Sequence, residues 1–224
     1  YAVVPAANLL QVPDGVSFEA AAAASLAAVT AWRATLVRGA LQPGESVLVT
    51  GGSGGVATLA VQYAARAGAR VHAVTSGDAN VERLRSLGAH HVYDRTTPEP
   101  WARAVKAATG GRGVDLVVDS VGEAVWDAAV RCLAVGGRLV SYGATAGPVA
   151  TLDLRHVFWK QLSIMGSTMG TPAEYRRAMG LVFAGEVRAP IHAVMGLDEV
   201  RRGHELLEAG GVFGKIVIVP GSPG

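Results

Sequence analysis

Apolar residues occur along this chain in short continuous runs, separated by longer stretches of helical periodicity. Residues 46–50 (SVLVT) are β-branched and of strand length. A glycine turn follows at 51–55, then a helical stretch over 56–67 stopped by Gly68. Residues 70–75 (RVHAVT) predict a second strand, 80–87 a helix ending at Gly88, and 91–94 a short third strand. Thr97-Pro98-Glu99 opens a further helix with a cap and then proline at the first helical position, where its missing N–H costs nothing. Gly110-Gly111 closes that helix. A fourth strand is predicted over 114–119 (VDLVVD), a helix over 122–134, a fifth strand over 138–142 and a sixth over 162–165. Thr171-Pro172-Ala173-Glu174 is a capping box whose helix reaches about Ala184. The last helix is expected over 198–208 and a last strand over 215–220. Upstream, residues 1–12 read as a short extended segment closed by the turn Pro13-Asp14-Gly15. Ser17 then caps a helix that runs to about Val37, with Glu19 near its positive end.

Strands alternating with helices at this spacing pair in parallel through right-handed crossovers, with helices on both faces. The strands are apolar throughout rather than alternating, as burial on two sides requires. The pattern therefore predicts a doubly wound α/β domain around a parallel six-stranded sheet.

The 224 residues are half hydrophobic, with a mean hydropathy of +0.31, enough for a buried core. Lys and Arg number 20 and Asp and Glu 18, and no basic run stands out, which argues against nucleic-acid or membrane-surface partners. The longest apolar stretch, 20–32, is mostly alanine and is broken by Ser25 and Thr30, so it reads as a helix of a soluble fold. Cys132 is the only cysteine, which fits a reducing cytoplasm, and no Cys/His cluster has zinc spacing. The chain opens at Tyr1 without a signal peptide and in mid-strand, which suggests a piece of a longer protein.

The candidate chemistry lies at the first strand-to-helix turn, Thr50-Gly51-Gly52-Ser53-Gly54-Gly55-Val56-Ala57. Within it, residues 52–57 match the dinucleotide fingerprint G-x-G-x-x-G/A in the required strand–turn–helix context. Gly52 is assigned the tight turn, Gly54 the close approach of backbone to a pyrophosphate, and Ala57 the close packing of helix on strand. The amides at the helix start, with the helix dipole behind them, favour the phosphate charge.

The end of the second strand selects the cofactor. An acidic residue there binds the ribose hydroxyls of NAD, whereas its absence leaves room for the 2′-phosphate of NADP. This strand ends at Thr75-Ser76-Gly77, with no carboxylate before Asp78, and Arg95 after the third strand supplies positive charge. The reading favours NADP(H) over NAD(H). Ligands of open α/β sheets lie outside the carboxyl ends of the strands. That adds the loops Ser120-Val121-Gly122, Gly143-Ala144-Thr145 and Gly166-Ser167-Thr168-Met169 as neighbours of a nicotinamide.

Taken in order, several runs resemble the medium-chain dehydrogenases/reductases, closest to zinc-binding alcohol dehydrogenases and quinone oxidoreductases. They are Tyr1-Ala-Val-Val-Pro5, Thr30-Ala31-Trp32, the glycine turn, Leu87-Gly88-Ala89, Gly136-Gly137-Arg138, Gly166-Ser167-Thr168-Met169-Gly170 and Phe213-Gly214-Lys215-Ile216-Val217. The resemblance covers nearly the whole chain. It implies hydride transfer to or from a small carbonyl, alcohol, quinone or activated alkene. It also implies a GroES-like catalytic domain preceding most of this chain. Residues 1–15 would then be a remnant of that domain, 16–212 the dinucleotide-binding domain, and 213–224 a strand and tail returning to the catalytic part. By the same resemblance the protein is a homodimer joined through the sheet edge near 162–165. Zinc belongs to many members, but Leu26 stands where a cysteine ligand falls, so this chain shows no metal ligands and a zinc-independent reductase gains weight. The lysine near Asn80 and the tyrosine near Arg95 that often meet the 2′-phosphate are both replaced.

Rival readings are a cofactor-binding module without activity and an α/β-hydrolase. In the latter, Gly51-Gly-Ser53-Gly-Gly55 fits the nucleophile elbow G-x-S-x-G, and His156, His192 and His204 are the histidines on offer. No Tyr-x-x-x-Lys of a short-chain dehydrogenase is present, and a methyltransferase wants an acid where Thr75 stands. His90 and His91 are adjacent on an extended strand and diverge, so they do not form a ligand pair. His72 and Cys132 read as structural.

Overall fold

The computed structural model describes residues 3–96 and 100–221. Helix α1 (Phe18–Trp32) starts where expected, with the Ser17 hydroxyl accepting the Ala20 N–H at 3.1 Å. It continues into a π-helical turn at Arg33–Arg38. The alternation follows: β1 (Ser46–Val49), α2 (Gly55–Arg66), β2 (Arg70–Thr75), α3 (Asp78–Ser86), β3 (His91–Asp94), α4 (Trp101–Ala108), β4 (Val114–Asp119), α5 (Trp126–Cys132), β5 (Leu133–Ser141). After it come α6 (Leu154–Lys160), β6 (Ser163–Gly166), α7 (Pro172–Phe183), β7 (Ile191–Gly196), α8 (Val200–Ala209) and β8 (Lys215–Val219). Six strands form one parallel sheet in the order β3-β2-β1-β4-β5-β6, and β7 and β8 pair in parallel as a separate two-stranded sheet.

The doubly wound expectation holds because each central strand is buried on both sides. In β1, Val47 and Val49 join a core with Ala24, Ala28, Leu59, Tyr63 and Met179 from α1, α2 and α7. Leu48, between them, faces a second core with Val117, Val130, Leu133 and Leu139. The alanine-rich α1 is apolar because it is wedged against α2 and α7, and small side chains permit the close approach. By length and composition alone, Phe18–Arg38 would also suffice to cross a membrane.

Four local differences from the sequence pattern have physical causes. The described part of the N-terminal segment forms a 3₁₀ turn at Ala6–Asn8 after Pro5 instead of a strand. Helix α5 is shorter than the expected 122–134 because Gly122 takes φ +80° and Gly147 accepts the Glu123 N–H, which holds 122–125 as a turn. Strand β5 accordingly begins at Leu133, five residues early, with a register shift opposite β4. Helix α6 and strand β7 have no counterpart in the sequence pattern: α6 is a seven-residue helix with no buried residue, and β7 alternates poorly. The cap at Thr97-Pro98-Glu99 lies outside the described residues.

His72 is fully buried on β2, stacked on His91 (centroids 4.8 Å apart), and its Nδ1 shares a 2.9 Å hydrogen bond with the Tyr93 hydroxyl. Burial, with repulsion from His91, Arg70 and His90, pushes its pKa down to about 4. The folded state thus holds a neutral imidazole where the unfolded chain takes up a proton below its ordinary 6.5. Stability is retained above 6.5 and lost as pH falls from there to about 4, where the loss levels off. The expected loss from this group is on the order of 3 kcal/mol. Thermal melts across this range should show a steep acid limb that His72→Asn flattens. Identical limbs in the two proteins would remove His72 as the cause.

Candidate functional site

The carboxyl ends of β1, β4, β5 and β6 open into a cleft of ≈350 Å³, walled by Gly54, Gly55, Val56 and Ala57 from the first turn of α2 and by Ser120, Tyr142, Gly143, Thr145, Thr168 and Met169 from the loops. Leu26 and Thr30 of α1 close its side. Nine of the residues singled out by sequence for the cofactor therefore meet in one cavity: Gly54, Gly55, Val56, Ala57, Ser120, Gly143, Thr145, Thr168 and Met169.

The turn itself is built by competing backbone demands. Gly51 takes φ +60°, the left-handed conformation, so the tight turn falls to it rather than to Gly52. Gly52 instead permits close contact: its N–H donates to Val74 O at 2.8 Å, and a Cβ there would sit 2.8 Å from Leu84 Cδ1. Gly54 donates to Gly51 O at 2.9 Å and caps α2 with no side-chain oxygen. The N–H groups of Gly55, Val56 and Ala57 thus begin a helix with no capping partner, facing the cleft that these residues line. Such an end is an anion site in waiting.

Asp119, at the end of β4, carries no signal in the sequence pattern. It is fully buried, accepting from Thr50 Oγ1 at 2.5 Å, Val121 N at 3.2 Å and Gly122 N at 3.1 Å. It therefore ties the end of β1 to the loop after β4. Thr50, expected at the cofactor, is buried and spends its hydroxyl on this bond, so it supports the turn from behind. Val121 likewise packs beside Gly51 rather than lining the cleft. The Ser53 carbonyl accepts the Gly214 N–H at 2.8 Å, Ser53 does not line the cleft, and no described histidine hydrogen-bonds its hydroxyl, so the hydrolase reading gains nothing. Ala144 is exposed beside the cleft without lining it. Ser167 lines a neighbouring groove.

Lys215 is a second site residue that sequence reasoning missed. The bridge between Gly54 and Gly214 lays β8 across the start of α2, and a Cβ on Gly55 would overlap the Lys215 side chain. The lysine therefore crosses the open helix end. Only the run Gly214-Lys215 hints at this in the sequence, and long-range pairing of β8 supplies the contact.

At the far end, Thr75 is buried with an unpartnered hydroxyl, and Arg95 Nε donates to Ser76 Oγ at 2.6 Å. Asp94 turns its carboxylate onto the Thr96 and Gly77 amides, and those bonds hold its pKa below the usual carboxylate range. At the loop end, Tyr142 keeps a buried hydroxyl without a hydrogen-bond partner. The Ser120 hydroxyl beside it falls short of bonding geometry, and burial pushes the phenol up to about 12, so it stays protonated.

A parallel sheet of order 3-2-1-4-5-6, with an open glycine-lined helix end at its switch point, defines a dinucleotide-binding fold. Residues 55–184 match the zinc-binding dehydrogenase family, and the chain belongs to it, among the medium-chain dehydrogenases/reductases. It is 31% identical over 224 residues to a zinc-type alcohol dehydrogenase-like protein of Schizosaccharomyces pombe, covering 97% of this chain and 64% of that one. It is 32% identical over 222 residues to a quinone oxidoreductase of Pseudomonas aeruginosa, covering 95% and 68%. Among solved structures it is similar to an NAD-dependent alcohol dehydrogenase (TM-score 0.91, 38% identity, 96% of this chain and 62% of that one). It is also similar to a 2-octenoyl-CoA carboxylase reductase in complex with NADP (0.89, 26%, 99% and 54%). The chain thus spans about two thirds or less of the relatives it matches.

The family name raises zinc. Leu26 presents an alkyl side chain to the cleft, and among the described residues no three His, Cys, Asp or Glu side chains gather to hold a metal. Among the described residues, the cleft therefore offers no set of side chains that would hold a zinc ion.

Proposed function

We propose that this chain binds NADP(H) along the carboxyl edge of its sheet and serves an oxidoreductase acting on a small carbonyl, alcohol, quinone or activated alkene. The observation that carries the reading is the uncapped first turn of α2 facing a cleft whose glycines leave no Cβ in the way. In this reading the Gly55, Val56 and Ala57 amides cradle the pyrophosphate and the Lys215 ammonium neutralises it from above. Asp119 holds the two adjoining turns in register. Thr75 and Ser76 meet the adenosine ribose, and Arg95 meets its 2′-phosphate. Ser120, Tyr142, Gly143, Thr168 and Met169 wall the nicotinamide end and exclude water there. When bound, the nicotinamide supplies or accepts the hydride. The same reading extends to assembly. Among the described residues no strand pairs with the outer edge of β6, and the preceding α6 exposes Leu154, Phe158 and Trp159, apolar surface suited to a second copy.

Titration by intrinsic tryptophan fluorescence tests the cofactor. NADPH should bind about tenfold more tightly than NADH, the worth of one charge-assisted contact. Preference for NADH would remove Ser76 and Arg95 as selectors, and saturation by neither would remove the cleft as a nucleotide site.

A further inference from the structure

A second groove, of ≈390 Å³, lies beside the cleft, lined by Arg33, Arg38, Ser141, Gly166, Ser167 and Thr168. Its two arginines are five residues apart. On an α-helix, at about 100° per residue, such positions point about 140° away from each other. The π-helical turn changes this: the Gly39 N–H reaches back five residues to Ala34 O at 3.0 Å, so positions five apart come nearly into line. Rare π turns concentrate at functional sites, and this one brings both guanidinium groups to one groove.

Both arginines keep donors in hand. Arg33 meets Glu174 through Nη1 alone, at 2.7 and 3.0 Å, which leaves Nε and Nη2 without a described partner. Arg38 spends only Nε, on Gly166 O at 3.1 Å, and has no ion pair among the described residues. The groove therefore carries net positive charge. Ser167 adds an independent sign: its hydroxyl is buried and has no hydrogen-bond partner, a costly state unless a ligand completes it.

We propose that this groove binds a small oxyanion, a phosphate or carboxylate, through the free N–H groups of Arg38 and Arg33 and the Ser167 hydroxyl. Planar guanidinium forks suit both anions. Thr168 lines this groove and the cleft alike, so the bound anion lies next to the cleft's nicotinamide end. The site stands on its own geometry and needs no nucleotide.

The test is a titration of the ¹⁵N-labelled full chain with sodium phosphate and, separately, sodium acetate, at constant ionic strength. One of the two anions should shift the Arg38 Nε–H and the Ser167 and Thr168 amides saturably, and the tighter one names the ligand class. Arg38→Gln should weaken that binding about tenfold, and Ser167→Ala should weaken it severalfold with the rest of the spectrum unchanged. Should Arg38→Gln fail to fold, Ser167→Ala carries the test alone. Wild-type affinity in the folded variants overturns the site. So do phosphate shifts confined to Gly55, Val56 and Ala57, which would leave the pyrophosphate cradle standing.

Discussion

Asp119→Ala should destabilise the protein by about 3 kcal/mol and abolish nucleotide binding. The carboxyl of Asp119 is fully buried and accepts three hydrogen bonds, from one hydroxyl and two backbone amides. Alanine leaves all three donors buried without partners, and each such loss costs roughly 1–3 kcal/mol before the loops relax. For a domain of this size, each kcal/mol lowers Tm by roughly 2–4 °C, so the drop should be about 10 °C. The carboxamide of Asp119→Asn would keep an oxygen facing Thr50 Oγ1 and the Val121 amide but set an NH₂ against the Gly122 amide. That variant should therefore lie between wild type and alanine in Tm. Binding should suffer more than stability predicts, because Asp119 joins the Thr50 end of the glycine turn to the Ser120–Gly122 loop across the cleft. Thermal melts with and without NADPH check this. A variant with wild-type Tm, or one that is destabilised yet still gains stability from NADPH, would show that Asp119 does not organise the cleft.

That a buried residue without a sequence signal ties together the two turns beside the cleft shows where sequence reading stops. The alternation of strands and helices is legible because it depends on local period and on glycine punctuation. Ser17, the capping box at Thr171 and Glu174, and the fingerprint at residues 52–57 are all local signals, and each appears in the structure as a cap, a box or a turn. Asp119 reads as the last residue of an apolar strand, and nothing within a few positions of it announces Thr50, 69 residues away. Lys215 reaches Gly55 only because β8 bridges to Gly54 from the other end of the chain. Strand β7 escapes notice because its partner β8, rather than its own sequence, gives it a strand's hydrogen bonds. The exchange of roles between Gly51 and Gly52 has the same origin. Which glycine takes the left-handed turn depends on where Val74 and Leu84 sit, and those belong to the next strand and helix. Ser76 and Arg95 are the instructive exception. They are 19 residues apart, yet parallel pairing of adjacent strands β2 and β3 places the two strand ends side by side, so the fold class alone brings them together.

Ser76→Asp should invert the cofactor preference, lowering NADPH affinity about a hundredfold relative to NADH. The argument turns on what Arg95 has to pair with. In the wild type its Nε donates to the neutral Ser76 hydroxyl and, among the described residues, its charge is shared only with the Asp94 carboxylate, which is itself engaged by the Thr96 and Gly77 amides, so much of that charge faces a 2′-phosphate. An aspartate at 76 would sit within the same 2.6 Å reach, take the guanidinium into an ion pair, and present a carboxylate to whatever occupies the ribose pocket. That carboxylate accepts hydrogen bonds from the free ribose hydroxyls of NADH and repels a 2′-phosphate. Loss of one attraction and gain of one repulsion act in the same direction, and the new ribose contact offsets part of the loss for NADH alone. Arg95 and Ser76 lie near solvent, so salt should screen the effect, and the preference ratio should shrink as ionic strength rises. Parallel titrations of both proteins with NADPH and NADH at low and high salt measure the ratio directly. An unchanged ratio in Ser76→Asp would place the selection elsewhere, and an inversion indifferent to salt would mean that shape rather than charge performs it.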